Sequence, residues 1–247
     1  MGALGLAGMA ACVQVEAAPT ATEVPTATEA PTATIEWFPA TATATLVPTL
    51  EYTATPDLRP GRGELLLEDD FSDEDIWQPM GGLAGSATVL DGHLTLALPE
   101  GEGFFYVERT GFSAGDFVLE VEASANLCRG ADEYGLLIRT TPEGQYYRYS
   151  VSCDGRARLD RFFEGQIATL APWTANGVIP RAVPSTVRLG VWANGEEVRF
   201  FVNDQFLFSI RDSLFYQGGV GVFVRKVGET PVTVHFSALR VWGLEGE

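Results

Sequence analysis

The fold is decided by residues 186–210, which read TVRLGVWANGEEVRFFVNDQFLFSI. Apolar and polar side chains alternate along this stretch, which is typical of strands that bury one face. Two pairs of turn-forming residues, Asn194-Gly195 and Asn203-Asp204, interrupt the alternation. Asn-Gly between two alternating runs is a strong signal for a tight antiparallel hairpin. The stretch therefore predicts antiparallel strands joined by short turns.

Similar runs occur on both sides of this stretch, from Gly63 onward. They are rich in Val, Ile, Phe, Tyr and Thr at period two, and none has helical periodicity over a typical helix length. Examples are DFVLEVEASA, YGLLIR, QYYRYSVS, RARLDRFF, GGVGVFV and VTVHFSALRVW. Residues 63–245 are therefore predicted to form an all-β domain, a two-sheet antiparallel β-sandwich. Alternation places Val187 and Tyr147 on packed faces, and Trp192 and Arg148 on outward faces.

The N-terminal residues 1–12 read MGALGLAGMAAC. This apolar run is too short to span a bilayer, which takes about 20 apolar residues. It resembles the end of a bacterial lipoprotein signal, in which small residues precede a cysteine that is lipidated, here Cys12. No Lys or Arg precedes the run, although export signals normally begin with positive charge. An ordinary cleaved export signal and an uninformative N-terminus are the alternatives.

Residues 13–62 form a low-complexity linker in which the repeat PTATEV, PTATEA, PTATIE begins at Pro19. Pro, Thr and Ala supply too little apolar area to offset the entropy lost on ordering. The proline spacing favours an extended chain. We therefore expect a disordered Thr/Pro-rich stalk before the sandwich, with a tail of no particular role as the alternative. Leader and stalk together predict an extracytoplasmic protein, lipid-anchored at the cell surface or, alternatively, secreted.

The charge balance excludes one class of partner. The formal net charge is −17 and Lys226 is the only lysine. An acidic surface repels phosphate backbones, so nucleic-acid binding is not expected. It also disfavours docking on anionic lipid, so we expect membrane contact only through a lipid anchor.

Two cysteines lie in the strand-rich region, Cys128 and Cys153. In an exported protein such a pair predicts a disulfide, which would stabilise the fold by about 3 kcal/mol in the chain-entropy model. The alternative is a pair of buried free thiols.

The order of several short segments carries a resemblance to a known family. The segments are DDFSD at 69–73, DFVLEV at 116–121, EYGLLIR at 133–139, GQYY at 144–147 and GGVG at 218–221. The ordered set resembles the concanavalin A-like jelly-roll domains of bacterial surface proteins, grouped with laminin G-like, family 16 glycoside hydrolase-like and 3-keto-disaccharide hydrolase-like domains. The resemblance implies two curved antiparallel sheets whose concave face carries carbohydrate or a partner protein.

No complete catalytic motif is present. Family 16-type glycosidases place carboxylates at E-x-D-x-x-E on one strand, whereas here Glu120 and Glu122 are followed by Ala125. The only two histidines, His93 and His235, are too few for a metal site and do not accompany a nucleophile elbow. We therefore predict no catalytic residues. An enzyme would have to use Glu120, Glu122 and Glu133, which lie on strands predicted to be adjacent.

An acidic segment offers the one cofactor candidate. Asp69, Asp70 and Asp73 could supply oxygen ligands to Ca²⁺, although the spacing does not match an EF-hand. The alternative is a solvated loop. No other cofactor is expected.

The candidate ligand-binding residues are polar or aromatic side chains on predicted outward faces. Tyr and Trp stack on sugar rings, while Arg and carboxylates hydrogen-bond hydroxyl groups. The alternative is a set of cross-strand ion pairs that stabilise a wet face. The candidates are Glu133, Arg139, Tyr146, Arg148, Arg158, Asp160, Arg188 and Trp192.

The sequence thus favours a non-enzymatic, surface-anchored module that binds carbohydrate or an envelope protein. A glycoside-active enzyme of the family 16-like or 3-keto-disaccharide hydrolase-like type is one alternative. A passive structural module of the cell envelope is the other.

Overall fold

Alternating β-branched and aromatic residues produce a structure made of strands. The computed structural model describes residues 58, 61–81, 85–99 and 101–245. Over these residues the backbone forms fifteen strands and no helix. The strands are β1 (Arg62–Asp69), β2 (Trp77–Gly81), β3 (Ser86–Leu90), β4 (His93–Leu98), β5 (Gly103–Arg109), β6 (Phe117–Leu127), β7 (Glu133–Thr140), β8 (Tyr146–Ser152), β9 (Arg156–Phe163), β10 (Gln166–Ala175), β11 (Ser185–Asn194), β12 (Glu197–Val202), β13 (Gln205–Arg211), β14 (Gly219–Lys226) and β15 (Val232–Leu244).

The strands pair into two antiparallel sheets that pack as a sandwich. The seven-stranded sheet, here called the front sheet, has the order β10-β9-β8-β7-β14-β5-β2. The eight-stranded sheet, called the back sheet, has the order β13-β12-β11-β6-β15-β4-β3, with β1 paired to β15. Every strand pairing is antiparallel, which confirms the predicted two-sheet sandwich.

The deciding stretch folds as two successive hairpins. Val202 pairs with Gln205, so Asn203 and Asp204 form a two-residue turn, with φ angles of 48° and 66°. Positive φ at both positions is the type I′ geometry that suits Asn and Asp. In the preceding hairpin Asn194 pairs with Glu197, so the turn falls one residue later than the Asn-Gly signal suggests.

Alternation also sets which side chains form the core between the sheets. Val187, Leu189 and Val191 of β11 are buried in this core together with Tyr147 and Tyr149 of β8. The face assignments from the sequence are confirmed for both strands. The two central strands β7 and β8 are, however, buried along their whole length. The outward faces of these two strands are therefore covered by other side chains, whereas the sequence predicted that they are exposed to solvent.

A disulfide joins the two predicted cysteines where the chain passes from the back sheet to the front sheet. Cys128 follows β6 and Cys153 follows β8, with their Cα atoms 5.9 Å apart. The predicted pairing is confirmed. The lone lysine is buried: Lys226 Nζ donates to the carbonyl oxygen of Pro99 at 3.3 Å.

The described residues belong to one unit, Ala54–Glu247. The predicted leader at residues 1–12, its Cys12 and all but a few residues of the predicted linker at 13–62 lie outside the described residues. No described residue belongs to a helix with the length and hydropathy that crossing a membrane requires.

Candidate functional site

A large concave feature lies on the outward face of the front sheet. It is an open cleft of about 550 Å³. Its walls come from strands β5, β8, β9, β10 and β14, so the sheet itself forms the floor. The lining residues are Phe104, Tyr106, Tyr146, Arg148, Arg158, Asp160, Phe162, Ile167, Thr169 and Arg225.

A row of aromatic rings crosses this cleft. Tyr146 stacks on Phe162 with ring centroids 5.2 Å apart and planes 18° apart. Tyr106 lies 5.8 Å from Tyr146, and Phe104 lies 5.3 Å from Tyr106. Tyr106 and Tyr146 stand on strands separated by β7 and β14, so the two rings lean toward each other over the strands between them. This covering explains why β7 and β8 are buried on their outward side.

A charged network lies beside the aromatic row. Arg148 Nη2 donates to Asp160 Oδ2 at 2.8 Å, and Arg158 Nε lies 2.9 Å from the same oxygen. Thr169 Oγ1 donates to Asp160 Oδ1 at 2.8 Å. Both oxygens of Asp160 are thus engaged, and its side chain is only 2% exposed.

A second carboxylate extends the network. Glu133 Oε1 accepts a hydrogen bond from Arg225 Nη1, and Glu133 Oε2 accepts one from Arg158 Nη2 at 3.4 Å. The Glu133 side chain is also 2% exposed. Three guanidinium groups are therefore held in place by two carboxylates that are covered from solvent.

The guanidinium groups also contact rings. Arg148 lies 5.4 Å from the Phe104 ring centroid, and Arg158 lies 4.6 Å from that of Trp173. Such cation–π contacts fix the planes of the guanidinium groups as well as their positions. The network is consequently pre-organised, which lowers the ordering cost of binding a ligand.

Burial in the aromatic row changes the ionisation of its hydroxyl and carboxyl groups. It raises the pKa of Tyr146 to about 12, with the nearby Tyr106 and Glu108 acting in the same direction. Burial also raises the pKa of Tyr106 and of Glu108. Both tyrosines therefore keep their hydroxyl proton at neutral pH and can donate hydrogen bonds.

Five of the predicted binding residues meet in this network, namely Glu133, Tyr146, Arg148, Arg158 and Asp160. Tyr146, Arg148, Arg158 and Asp160 line the cleft, while Glu133 lies beneath it. The predicted cross-strand pairing of Arg and acid is present as well: Arg148 is opposite Asp160 in the β8–β9 register. Whether these residues bind a ligand stays a prediction.

Arg139 does not lie on the outward face, contrary to expectation. Its side chain is 0% exposed and donates to the carbonyl oxygens of Gly195, Phe215 and Gly115 at 2.7–2.9 Å. The register between β7 and β14 shifts at this point, and Arg139 has a φ of 51°. This bulge breaks the alternation and turns the guanidinium toward the loops at the end of the sandwich.

Arg188 and Trp192 stand on β11 of the back sheet, so they do not join the other candidates. Arg188 pairs with Asp204 at 3.1 Å and lies 3.8 Å from Glu122. Trp192 is buried with Phe201 and Leu244, and Arg199 covers its ring at 4.3 Å. A covered indole ring is not available for stacking on a ligand.

The carboxylates considered for catalysis are also separated. Glu120 and Glu122 lie on β6 of the back sheet, whereas Glu133 lies on β7 of the front sheet. The expectation that they stand on adjacent strands is wrong, because the chain changes sheets between β6 and β7. These three residues cannot flank one glycosidic bond.

The acidic segment after β1 is used for local structure. Asp69 pairs with Arg109 at 2.8 Å and accepts a hydrogen bond from the Phe71 amide. Asp70 and Asp73 each accept a bond from the amide two residues later. Among the described residues no group of three or more His, Cys, Asp or Glu is arranged to hold a metal ion. The candidate Ca²⁺ ligands are therefore not gathered into a site.

Sequence reasoning missed six of the ten lining residues, namely Phe104, Tyr106, Phe162, Ile167, Thr169 and Arg225. A signal was present for two of them. The strand GFFYVER alternates, with Phe105 and Val107 in the core, so Phe104 and Tyr106 must share the outward face. That β5 and β8 belong to one sheet is not encoded in any local pattern.

Comparison with solved structures gives the class of fold. The carbohydrate-binding module CBM66 from Bacillus subtilis matches with a TM-score of 0.54 at 19% identity, over 68% of this chain and 96% of that chain. A protein of unknown function with a galectin-like fold, also from Bacillus subtilis, matches with a TM-score of 0.55 at 15% identity, over 74% and 97%. The catalytic domain of an endo-1,3-β-glucanase (laminarinase) from Thermotoga petrophila matches with a TM-score of 0.54 at 11% identity, over 74% and 98%.

The domain thus has a jelly-roll fold of the concanavalin A-like kind, as the sequence resemblance implied, and shares it with a protein of galectin-like fold. No family model matches the sequence, and no curated protein matches it. Solved domains of this fold include both a binding module and hydrolases, so the fold is compatible with either activity.

Proposed function

We propose that the domain is a non-enzymatic carbohydrate-binding module whose ligand lies in the front-sheet cleft. The observation that carries the proposal is the meeting of the aromatic row and the fixed guanidinium network in one open cleft of about 550 Å³. A cleft of this size falls in the range of small-ligand sites. Sugars present apolar ring faces and polar edges, and the cleft offers partners for both.

The aromatic rings and the hydrogen-bond donors of the cleft contact different parts of a bound sugar. Phe162 and Tyr106 are partly exposed and provide ring surfaces on which a sugar face can stack, while the buried Tyr146 packs against both of them. The tyrosine hydroxyls and the guanidinium groups of Arg148 and Arg225 provide hydrogen-bond donors at the edge of the rings. Since these groups are held by other protein atoms, binding requires little rearrangement.

The pairing of the carboxylates favours binding over hydrolysis. A retaining glycosidase needs two carboxyl groups about 5 Å apart that flank the bond and are free to act as acid and nucleophile. Asp160 and Glu133 are instead engaged by arginines and withdrawn from the solvent. In this arrangement they orient the arginines.

Glycan binding by the full chain tests the proposal. Isothermal titration against a panel of oligosaccharides is expected to identify ligands, and Tyr106→Ala or Tyr146→Ala to weaken their binding at least tenfold, about 1.4 kcal/mol. Tyr216 is the matched control, because it is an exposed tyrosine that does not line the cleft. Tyr216→Ala should leave affinity unchanged. Absence of binding to any glycan by the folded chain would reject the proposal.

One observation keeps hydrolysis as a second candidate. Glu108 lies on the same strand face as Tyr106, and burial raises its pKa, as a general acid requires. Release of reducing ends from a bound polysaccharide, lost in Glu108→Gln, would establish an enzyme. Binding without release supports the module.

We also propose that the domain is displayed outside the cytoplasm on a lipid anchor at Cys12, where an envelope protein could be a further partner. The disulfide Cys128–Cys153 supports an oxidising location. Labelling of cells with radioactive palmitate should mark the wild-type chain and not Cys12→Ala. An unlabelled wild-type chain in the culture medium would indicate secretion instead.

A further inference from the structure

The cleft presents hydrogen-bond donors in excess of free acceptors. Asp160 accepts from Thr169 through one oxygen and faces Arg148 and Arg158 with the other. Glu133 accepts bonds through both of its oxygens. Both carboxylates are only 2% exposed and their oxygens are already engaged, so they offer little acceptor capacity to a ligand in the cleft.

The arginines retain unused donors. Each guanidinium group carries five N–H bonds. Arg148 Nε is buried and has no hydrogen-bond partner among the described residues, and this side chain is 10% exposed. Arg225 uses Nη1 to bind Glu133, and its side chain is 39% exposed along the cleft wall. Arg225 therefore offers N–H groups at the cleft wall, and Arg148 keeps an unpartnered N–H that is buried.

The charges in the network do not balance. Arg148, Arg158 and Arg225 face only the two carboxylates of Asp160 and Glu133. One positive charge is left over, in a chain whose net charge is −17. Guanidinium groups that carry this excess positive charge, held rigidly beside aromatic rings, suit a ligand group that is negatively charged and only accepts hydrogen bonds.

We propose that the sugar bound in this cleft carries an acidic group, a carboxylate or a sulfate ester, and that Arg225 together with Arg148 receives it. The inference rests on the proposed function of the cleft. A neutral sugar would bring hydroxyl hydrogens that find few free acceptors, whereas an acidic group only accepts hydrogen bonds. The tyrosine rings would support the sugar face while the guanidinium groups bind its charged edge.

The acidic surface of the chain limits which acidic glycans fit. Its long-range field repels a dense polyanion, but charges farther than about 8 Å are largely screened at physiological ionic strength. A short oligosaccharide that places one acidic group in the cleft therefore experiences mainly the local guanidinium groups. We expect oligosaccharides to bind rather than densely charged polymers.

Two matched probe pairs test the inference on the full chain by isothermal titration. Tetragalacturonate is compared with its neutral methyl ester, and a sulfated neocarratetraose with the same oligosaccharide after desulfation. We expect at least one acidic member to bind about tenfold more tightly than its neutral counterpart. The pair that shows the preference identifies carboxylate or sulfate as the group received.

Substitution of the exposed arginine separates charge recognition from stacking. Arg225→Gln should abolish the preference, because the affinity for the acidic probe should fall much more than the affinity for its neutral counterpart. Arg188→Gln is the matched control, because Arg188 is similarly exposed at 42% but lies on the back sheet. It should change neither affinity.

The outcomes distinguish this inference from the proposal on which it rests. Equal affinity within both pairs, or binding of neutral glycans alone, overturns the acidic-sugar inference and leaves the module intact. A preference that survives in Arg225→Gln also overturns it. Failure of the folded chain to bind any glycan rejects both.

Discussion

Arg148 donates to Asp160 at 2.8 Å across strands β8 and β9, beneath a cleft lined with aromatic rings. Both side chains are nearly withdrawn from solvent, at 10% and 2% exposure. Asp160 also faces Arg158, so a single carboxylate holds two guanidinium groups. The network therefore contributes to the free energy of unfolding and is also part of the candidate site.

Removing the charge of Asp160 should strongly destabilise the domain. Asp160→Asn leaves Arg148 and Arg158 without their shared counter-ion, and breaking a buried pair from one side costs about 3 kcal/mol or more. Urea unfolding followed by tryptophan fluorescence measures the loss. Glu122→Gln, in a pair 3.8 Å apart with both side chains 42% exposed, should cost less than about 1 kcal/mol. Equal losses in the two variants would contradict the role given to burial.

Arg139 is expected to matter for stability and not for ligand binding. Arg139→Met leaves the carbonyl oxygens of Gly195, Phe215 and Gly115 without this donor, so we expect a loss of about 3 kcal/mol or more. Glycan affinity of the folded fraction should be unchanged. Arg225→Gln is the converse case for binding, with reduced affinity for an acidic ligand, and its loss of stability should be smaller because Glu133 keeps Arg158 as a partner. A loss of affinity in Arg139→Met without a loss of stability would restore Arg139 as a binding residue.

Glu108 should make stability depend on pH. Its Oε2 accepts a bond from Thr140 at 3.1 Å, but its Oε1 is buried without a hydrogen-bond partner in the described part of the chain. Burial raises the pKa of Glu108 in the folded chain above its unfolded value, so the folded state loses stability as pH rises through this window. Glu108→Gln avoids that penalty, because Gln carries no charge.

Unfolding curves at two pH values check this expectation. Glu108→Gln should be more stable than the wild type at pH 7, and the difference should shrink below the ordinary pKa of a glutamate. A difference that is the same at both pH values would assign the effect of Glu108→Gln to packing.

Reduction of the disulfide should weaken the domain without removing its fold. Cys128 and Cys153 close a loop with a sequence separation of 25, so its loss should cost about 3 kcal/mol. The double substitution to Ala and treatment of the wild type with a reductant should lower the urea midpoint by similar amounts. The double variant itself should not respond to the reductant, which is the control for effects elsewhere in the chain.

Local patterns predicted those features that depend on neighbouring residues. Alternation assigned Tyr147 to the core and Tyr146 to the outward face, and the turn chemistry of Asn203-Asp204 located a hairpin. These assignments hold because side-chain direction and turn conformation are set within a few residues.

The predictions were wrong where the position of a side chain depends on contacts between distant parts of the chain. Arg139 follows the alternation in sequence, yet a bulge opposite β14 rotates it into the protein. Glu120 and Glu133 are 13 positions apart, but the crossing between sheets places them on opposite sides of the core. The contact between Tyr106 and Tyr146 was missed for the same reason. It depends on the order of strands in the front sheet, in which β7 and β14 lie between the strands of these two residues.

The burial of Lys226 has a practical consequence for anyone who wishes to attach this domain to something else. It is the only lysine in the sequence, and its ammonium group is held against the Pro99 carbonyl. Within the described residues, amine-reactive dyes and activated sensor surfaces will therefore find no accessible side chain. Coupling chemistry directed at amines should spare the whole sandwich and leave the cleft unobstructed.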